Sequence, residues 1–251
     1  MTFFRELLYP PRCPGCDEII PQREWKVGYC SKCNREIIRI GDSSCIKCGK
    51  PINKGQEEYC ADCRKKHHHF LQHKGVYLYG GPMKPAMYRL KYSNRRDYAR
   101  VFAGDAYDKY ASWLQKTGIE YLVPIPMYGR KERQRGYNQA GVIAEELGKL
   151  TGRPVKTDLV VRTRNSVPQK GLNDIERKNN LKNAFKIRKS GVKLKKILLI
   201  DDIYTTGSTM DEVSKVLRQA GVEQVYGLSI CIGEGRELTT QEEGMYGSSE
   251  L

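Results

Sequence analysis

No stretch of the chain approaches the ~18 consecutive apolar residues of a membrane-spanning helix, so membrane insertion is not expected. The first residues, Met1-Thr-Phe-Phe-Arg-Glu-Leu-Leu-Tyr9, have neither the basic leader nor the long apolar stretch of a secretion signal, and a cytoplasmic location is expected. Acid is in short supply. Against 44 Lys and Arg stand 29 Asp and Glu, a formal net charge of +15, which points to anionic partners. The excess is concentrated: residues 153 to 196 hold fourteen Lys or Arg against Asp158, Asp174 and Glu176. Aromatic residues are sparse in that stretch, so stacking surfaces for nucleic acid are few there.

Disulfides are not expected in a reducing compartment, and the cysteine spacing says metal instead. Eight of the nine cysteines stand in Cys-x-x-Cys pairs: Cys13-Pro-Gly-Cys16, Cys30-Ser-Lys-Cys33, Cys45-Ile-Lys-Cys48 and Cys60-Ala-Asp-Cys63. The second and fourth pairs each follow a tyrosine, Tyr29 and Tyr59, and an apolar or Pro-Ile pair (Ile19-Ile20, Pro51-Ile52) precedes each, which makes an internal repeat. So short a stretch cannot bury two apolar cores, and two structural zinc ions are expected to fold it as a double zinc ribbon over residues 1–68. The repeat favours one site of Cys13, Cys16, Cys30 and Cys33 and another of Cys45, Cys48, Cys60 and Cys63. A cross-braced pairing of the same ligands, or an iron–sulfur cluster, uses the same residue types. With eight thiolates and two zinc ions in place the net charge falls to about +11. His67-His-His69 and His73 are then expected to mark a solvated linker, and Cys231, inside Leu228-Ser-Ile-Cys-Ile232, a buried core thiol.

From Gly75 the pattern alternates between strand and helix. Strands are expected at 76–79, 119–123, 155–161, 197–200 and 225–232, and helices at 83–92, 98–114, 137–150 and from Ser208 to a stop at Gly221. This order predicts an α/β fold with a doubly wound parallel sheet over residues 75–235, whose ligand sits beyond the carboxyl ends of the strands. An acidic tail, 236–251, has a disordered composition.

One segment carries the chemistry: Ile197-Leu-Leu-Ile-Asp-Asp-Ile-Tyr-Thr-Thr-Gly-Ser-Thr209. A strand apolar on both faces ends in two acids and runs into small residues that open a helix. Free backbone N–H groups and the helix dipole attract phosphate there, the hydroxyls add donors, and Gly207 lets the backbone approach closely. The string resembles the phosphoribosyl pyrophosphate (PRPP) signature of type I phosphoribosyltransferases. That resemblance implies that Asp201 and Asp202 hold the ribose hydroxyls and act in catalysis. It places Thr205, Thr206, Gly207, Ser208 and Thr209 around the 5′-phosphate and Mg²⁺ on the pyrophosphate. Two more loops reach the same rim. Arg130-Lys-Glu-Arg-Gln-Arg-Gly-Tyr-Asn-Gln139 follows the second strand, and Arg133 and Arg135 suit pyrophosphate or a second anion. The long loop from Arg162 to Arg177, with Arg164 and Lys170, corresponds to the flexible loop of those transferases.

The wording narrows the likeness. Val123-Pro-Ile-Pro-Met127, Arg135-Gly-Tyr-Asn-Gln-Ala140, Arg162-Thr-Arg164, Pro168-Gln-Lys-Gly-Leu172 and Glu176-Arg-x-x-Asn180, joined to the cysteine repeat, resemble the ComF family of competence-associated phosphoribosyltransferase-like proteins. Tyr137 stands where that family mostly has Phe, and Ser208 where it often has Ala. The family implies PRPP as ligand, contact with single-stranded DNA, and a helicase-like competence partner. Tyr137, beside the basic residues Arg162, Arg164, Lys170, Arg177 and Lys178, is the expected stacking surface. The alternatives are a non-catalytic nucleic-acid-binding or PRPP-sensing protein, or a nucleobase-salvage transferase.

Overall fold

The computed structural model describes residues 10–52, 58–164, 183–188 and 194–233. Four parallel strands form the main sheet: β1 (Gln72–Leu78), β2 (Tyr121–Pro124), β5 (Lys196–Tyr204) and β6 (Gln224–Ile232), in the order β1-β6-β5-β2. Ile197, Leu198, Leu199 and Ile200 of the interior strand β5 are fully buried, as a strand covered on both faces requires. Leu198 and Ile200 point to one face with α3 (Met83–Tyr92), α4 (Tyr98–Thr117) and α6 (Gln139–Thr151), and Ile197 and Leu199 point to the other with α7 (Ser208–Gln219). The side chain of Asn138 accepts from the N–H of Ala140 and starts α6 there.

The cysteine repeat is built into this sheet. Residues Ile38 to Ile40 lie along the free edge of β1, with Arg39 bridged antiparallel to Tyr77 and hydrogen bonds from Ile40 N–H to Val76 and from Leu78 N–H to Ile38. The first ribbon, through Cys13, Ile20, Tyr29 and Cys33, packs into the core on the α3–α4 side. The second, through Cys45, Cys48 and Phe70, packs into the α7 side. The two ribbons straddle the sheet edge, and the segment joining them caps the otherwise unpaired β1.

Two strand expectations are corrected. Residues 155–161 are not one strand: Val155 makes a single bridge to Leu122, a turn at Thr157 and Asp158 intervenes, and β3 (Val160–Arg162) pairs antiparallel with β4 (Phe185–Ile187) in a separate small sheet. β1 begins at Gln72 rather than Val76, because the polar ring of His73 is satisfied inside the core by the carbonyl of Cys48 at 2.8 Å and Ser229 Oγ at 2.9 Å. His73 is therefore a fully buried structural residue and not part of a solvated linker. The loop after β2 contains a short helix, α5 (Gly129–Arg135). Cys231 is buried in the core, as its apolar neighbours indicate.

A Cβ at Gly75 would stand 2.4 Å from the side chain of Ile232 and 2.9 Å from Ile40, where β1, β6 and the ribbon linker meet. Gly75→Ala is expected to cost about 1–3 kcal/mol by overpacking. The melting midpoint should fall by roughly 2–12 °C in a thermal unfolding scan. An unchanged midpoint would show that this junction is loosely packed.

Candidate PRPP and zinc sites

β5 outruns β2. The last hydrogen bond on that side is from Ile125 N–H to Ile200, while β6 accompanies β5 as far as Tyr204. Asp201 and Asp202 therefore lie within β5, two positions before its end, with one flank opened by the end of β2. That crevice is where ligands bind in open α/β sheets. Asp202 is buried and its carboxylate lies 2.8 Å from Lys91 Nζ, at the end of α3. Burial opposes the charge on Asp202, but the Lys91 ammonium together with hydrogen bonds from Asp201 and the Ile203 N–H holds the carboxyl below its ordinary range. Burial, and then the charge of Asp202, push the Asp201 carboxyl well above that range. The acids titrate as a pair in which Asp202 ionises first. Lys91 was not legible as a site residue, because nothing in the pattern of α3 tells which polar residue faces another element.

After Tyr204 the chain turns through Thr205 and Thr206 into Gly207, whose φ is +73°, and Ser208 begins α7. A Cβ on Gly207 would lie 2.2 Å from the Tyr204 hydroxyl, so the position requires glycine on both counts. Thr206 Oγ1 and Ser208 Oγ are 2.9 Å apart, and Thr209 follows in the first turn of α7. The turn thus gathers hydroxyls and backbone N–H groups at a helix N-terminus, a fitting environment for phosphate.

The two basic loops reach the same crevice by backbone pairing: Tyr128, just before α5, is bridged parallel to Arg162 at the end of β3. Arg162 stacks 5.4 Å from the Phe185 ring; burial lowers its pKa, and the charge of Asp201 acts in the opposite direction. Burial, then Arg162 and Arg135, lower the pKa of Lys131, which places these three cations near one another. Arg135 packs at 3.6 Å on Met127 Sδ and at 4.8 Å over Tyr92, while Arg133 and Arg164 are exposed. Lys170 and Arg177, with the rest of residues 165–182 and the acidic tail, lie outside the described residues. Tyr137 does not offer a stacking surface. It is 7% exposed, its hydroxyl donates to the Leu90 carbonyl, and Arg96 covers its ring at 4.3 Å.

The eight repeat cysteines form two clusters, Cys13, Cys16, Cys30 and Cys33 in one and Cys45, Cys48, Cys60 and Cys63 in the other, with all four sulfurs of each within 4.8 Å of one another. The pairing is sequential rather than cross-braced. Cys16 and Cys30 are 3.7 Å apart and Cys48 and Cys60 are 3.6 Å apart. Thiolates ~2.3 Å from a tetrahedral zinc stand roughly 3.8 Å apart, so each set fits a closed structural zinc site.

The second ribbon side touches the β5–α7 turn directly. Lys66 Nζ donates to the Thr206 carbonyl at 3.3 Å, His69 N–H donates to Asp211 in the first turn of α7 at 2.6 Å, and the His68 ring lies 3.5 Å from the same carboxylate. Burial disfavours the Asp211 charge, and the His68 and His69 contacts more than offset it, so the carboxyl is held below its ordinary range. Behind the turn, the Tyr204 ring that Gly207 abuts stacks on His73 at 4.2 Å, and His73 is fastened to Cys48. Three of the four histidines, His68, His69 and His73, thus join the ribbon side of the molecule to this turn. Their spacing gave no sign of it, since the partners are more than a hundred residues away.

Family comparisons match two separate stretches of the chain. A double zinc ribbon domain matches residues 4–64, and a phosphoribosyl transferase domain matches residues 134–238. The molecule is of the class in which a double zinc ribbon precedes a phosphoribosyltransferase-like sheet. Competence protein F of Haemophilus influenzae is 32% identical over 81% of this chain and 91% of its own length. Competence protein ComFC of Streptococcus pneumoniae is 32% identical over 80% of this chain and 86% of its own, and DNA utilization protein YhgH of Escherichia coli is 28% identical over 90% and 98%. The chain belongs to this competence protein F and ComFC family.

Metal analysis of the purified chain is expected to find two zinc ions per molecule, as the two clusters require. Cys63→Ser should speed hydrogen exchange at the amides of Thr206 to Met210 more than Cys16→Ser does, because Lys66 and His69, which touch that turn, directly follow the second ribbon. Equal effects of the two substitutions would show that the zinc site does not brace the turn.

Proposed function

We propose that this chain binds PRPP with Mg²⁺ at the turn between β5 and α7 and carries single-stranded DNA on the basic rim beside it. The observation that carries the first part is the acid pair, half-buried Asp201 and buried Asp202, just before a glycine-dependent hydroxyl loop at a helix N-terminus. Each piece suits one part of the ligand. The carboxyls accept from the ribose hydroxyls; Thr205, Thr206, Ser208 and Thr209 with the N–H groups of the loop hold the 5′-phosphate. Lys131, Arg135 and Arg162 face the pyrophosphate, and Arg133 and Arg164 extend the cationic field outward. Mg²⁺, a hard cation that keeps several waters, neutralises pyrophosphate oxygens when bound.

The same arrangement suits transfer. As the bond from C1 of the ribose to pyrophosphate breaks, positive charge develops on the sugar and negative charge on the leaving group, and an acceptor nucleophile takes C1. Asp201 and Asp202 fix the sugar beneath that charge and the guanidinium groups receive the leaving oxygens, so catalysis is positioning and electrostatics. Lys91 keeps Asp202 ionised for the ribose before the ligand arrives.

The DNA part rests on charge and kinship. Arg130, Lys131, Arg133 and Arg135 lie on one short helix at the crevice, and the relatives' names tie them to competence and DNA utilization.

Calorimetric titration with PRPP should show binding that requires Mg²⁺ and is lost in the double variant Asp201→Ala, Asp202→Ala; unchanged binding by that variant would sink the PRPP assignment. Affinity for single-stranded DNA should fall linearly with the logarithm of salt concentration, with a slope of about −0.7 for each phosphate contacted. A flat salt response would count against backbone tracking by this rim.

A further inference from the structure

Each knuckle of the second zinc site leans on the β5–α7 turn by its own route. The knuckle from Cys45 to Cys48 holds His73 twice: the His73 N–H donates to the Lys47 carbonyl at 2.8 Å, and ring Nδ1 stands 2.8 Å from the Cys48 carbonyl. A carbonyl only accepts, so Nδ1 carries the proton and Nε2 accepts from Ser229 Oγ at 2.9 Å. With both nitrogens engaged the ring is held in orientation, and Tyr204 stacks on it at 4.2 Å with planes 28° apart. The Tyr204 hydroxyl occupies the space where a Cβ of Gly207 would stand. Phe70, buried like Tyr204, closes the stack edge-on at 6.4 Å.

The knuckle from Cys60 to Cys63 runs into the short helix Ala61–Lys65, and Lys66 at its end donates to the Thr206 carbonyl. The His69 N–H and the His68 ring then hold Asp211 in the first turn of α7. Beside these bonds a cavity of about 180 Å³ separates the segment 66–69 from the start of α7, so on this side a few polar contacts, not a packed face, join the two parts. The first zinc site is seated elsewhere, against α3, where Arg89 donates to the carbonyls of Pro14 and Gly15.

Thr206 and Gly207 belong to the turn assigned above to the 5′-phosphate. Cysteines release zinc by swinging apart, and in the second site that motion draws Cys48 and the helix Ala61–Lys65, and with them His73 and Lys66, away from the turn. A ligand that fixes the turn opposes the motion, and linkage makes the effect mutual. We infer that Lys66 and His73, helped by the bond from His69 to Asp211, are positioning residues that couple the second zinc site to the 5′-phosphate of PRPP. Bound PRPP then slows the opening of that site and leaves the first as it was. The inference rests on the PRPP reading above and adds a regulation to it: the grip on the ligand and the hold on one of the two metals rise and fall together.

The test uses the full zinc-loaded chain with Mg²⁺, a zinc-selective chelator and N-ethylmaleimide, with and without saturating PRPP. Peptide mass spectrometry reads alkylation of Cys45, Cys48, Cys60 and Cys63 separately from that of Cys13, Cys16, Cys30 and Cys33. With trapping slower than reclosing, the rate reports the population of the open site. PRPP should slow alkylation of the second set about fivefold or more, and that of the first by less than about twofold. Pyrophosphate, which lacks a 5′-phosphate, should protect neither. Lys66→Met with Asp211→Ala should lose most of the protection at saturating PRPP, while Lys66→Arg, which keeps a donor, should retain it. Equal slowing of both sets would mean general stabilisation and would overturn the coupling. So would protection by pyrophosphate, or protection undiminished in Lys66→Met with Asp211→Ala. If calorimetry shows PRPP binding and the second set alkylates at an unchanged rate, the coupling falls and the PRPP reading stands. No PRPP binding by the wild type would overturn both.

Discussion

Two adjacent carboxyl groups at the inner end of a buried strand cannot both hold charge without a cation in reach, and here that cation is Lys91. Its 2.8 Å pair with Asp202 draws the end of α3 onto the crevice floor and gives the acid pair its order of ionisation. The consequences spread along the chain. Because Lys91 is docked inward, its neighbour Tyr92 is carried to the lip, under Arg135. Because Arg162 approaches Asp201 while β3 is bridged to Tyr128, the helix α5 is drawn alongside, and cations ring the acids. Negative floor and positive rim form a charge pattern suited to a ligand with hydroxyls at one place and phosphates at two others.

The zinc ribbons stand in an unusual relation to that crevice. They clasp the free edge of β1, one on each face of the sheet, instead of hanging as a separate module. The first ribbon buttresses α3 and α4: Arg89 of α3 donates to the carbonyls of Pro14 and Gly15, and Tyr29 and Tyr77 are hydrogen-bonded at 2.9 Å. The second braces the β5–α7 turn through Lys66, His68, His69 and the stack of His73 on Tyr204. Since short ribbons of this kind close only around metal, zinc occupancy and the shape of the turn are linked through these contacts.

Local signals carried much of this from the sequence. Cysteine spacing gave the eight ligands and the repeat favoured their sequential pairing over a cross-brace, the apolar run Ile197 to Ile200 gave the interior strand, and Gly207 followed by Ser208 gave the turn into α7. What escaped depends on packing between distant residues. Tyr137 reads as an exposed loop aromatic until α3 and Arg96 close over it; His73 reads as linker until Cys48 and Ser229 meet its two nitrogens. Lys91 and Tyr92 look like the polar end of an ordinary amphipathic helix, and only tertiary docking distinguishes the one that enters the crevice from the one that stays outside. A strand over 155–161 takes no account of the turn at Thr157 and Asp158, which moves Val160 to Arg162 into a second sheet.

The central claim, that the crevice grips PRPP at both phosphate ends, is tested most directly by phosphorus NMR of PRPP during titration with the zinc-loaded chain and Mg²⁺. Binding across the β5–α7 turn and the cationic rim should shift or broaden the 5′-phosphate and the pyrophosphate resonances together, saturably and only with Mg²⁺ present. A perturbed pyrophosphate with an unperturbed 5′-phosphate would mean that the rim binds anions without the turn, and no change in either resonance would contradict a PRPP site altogether.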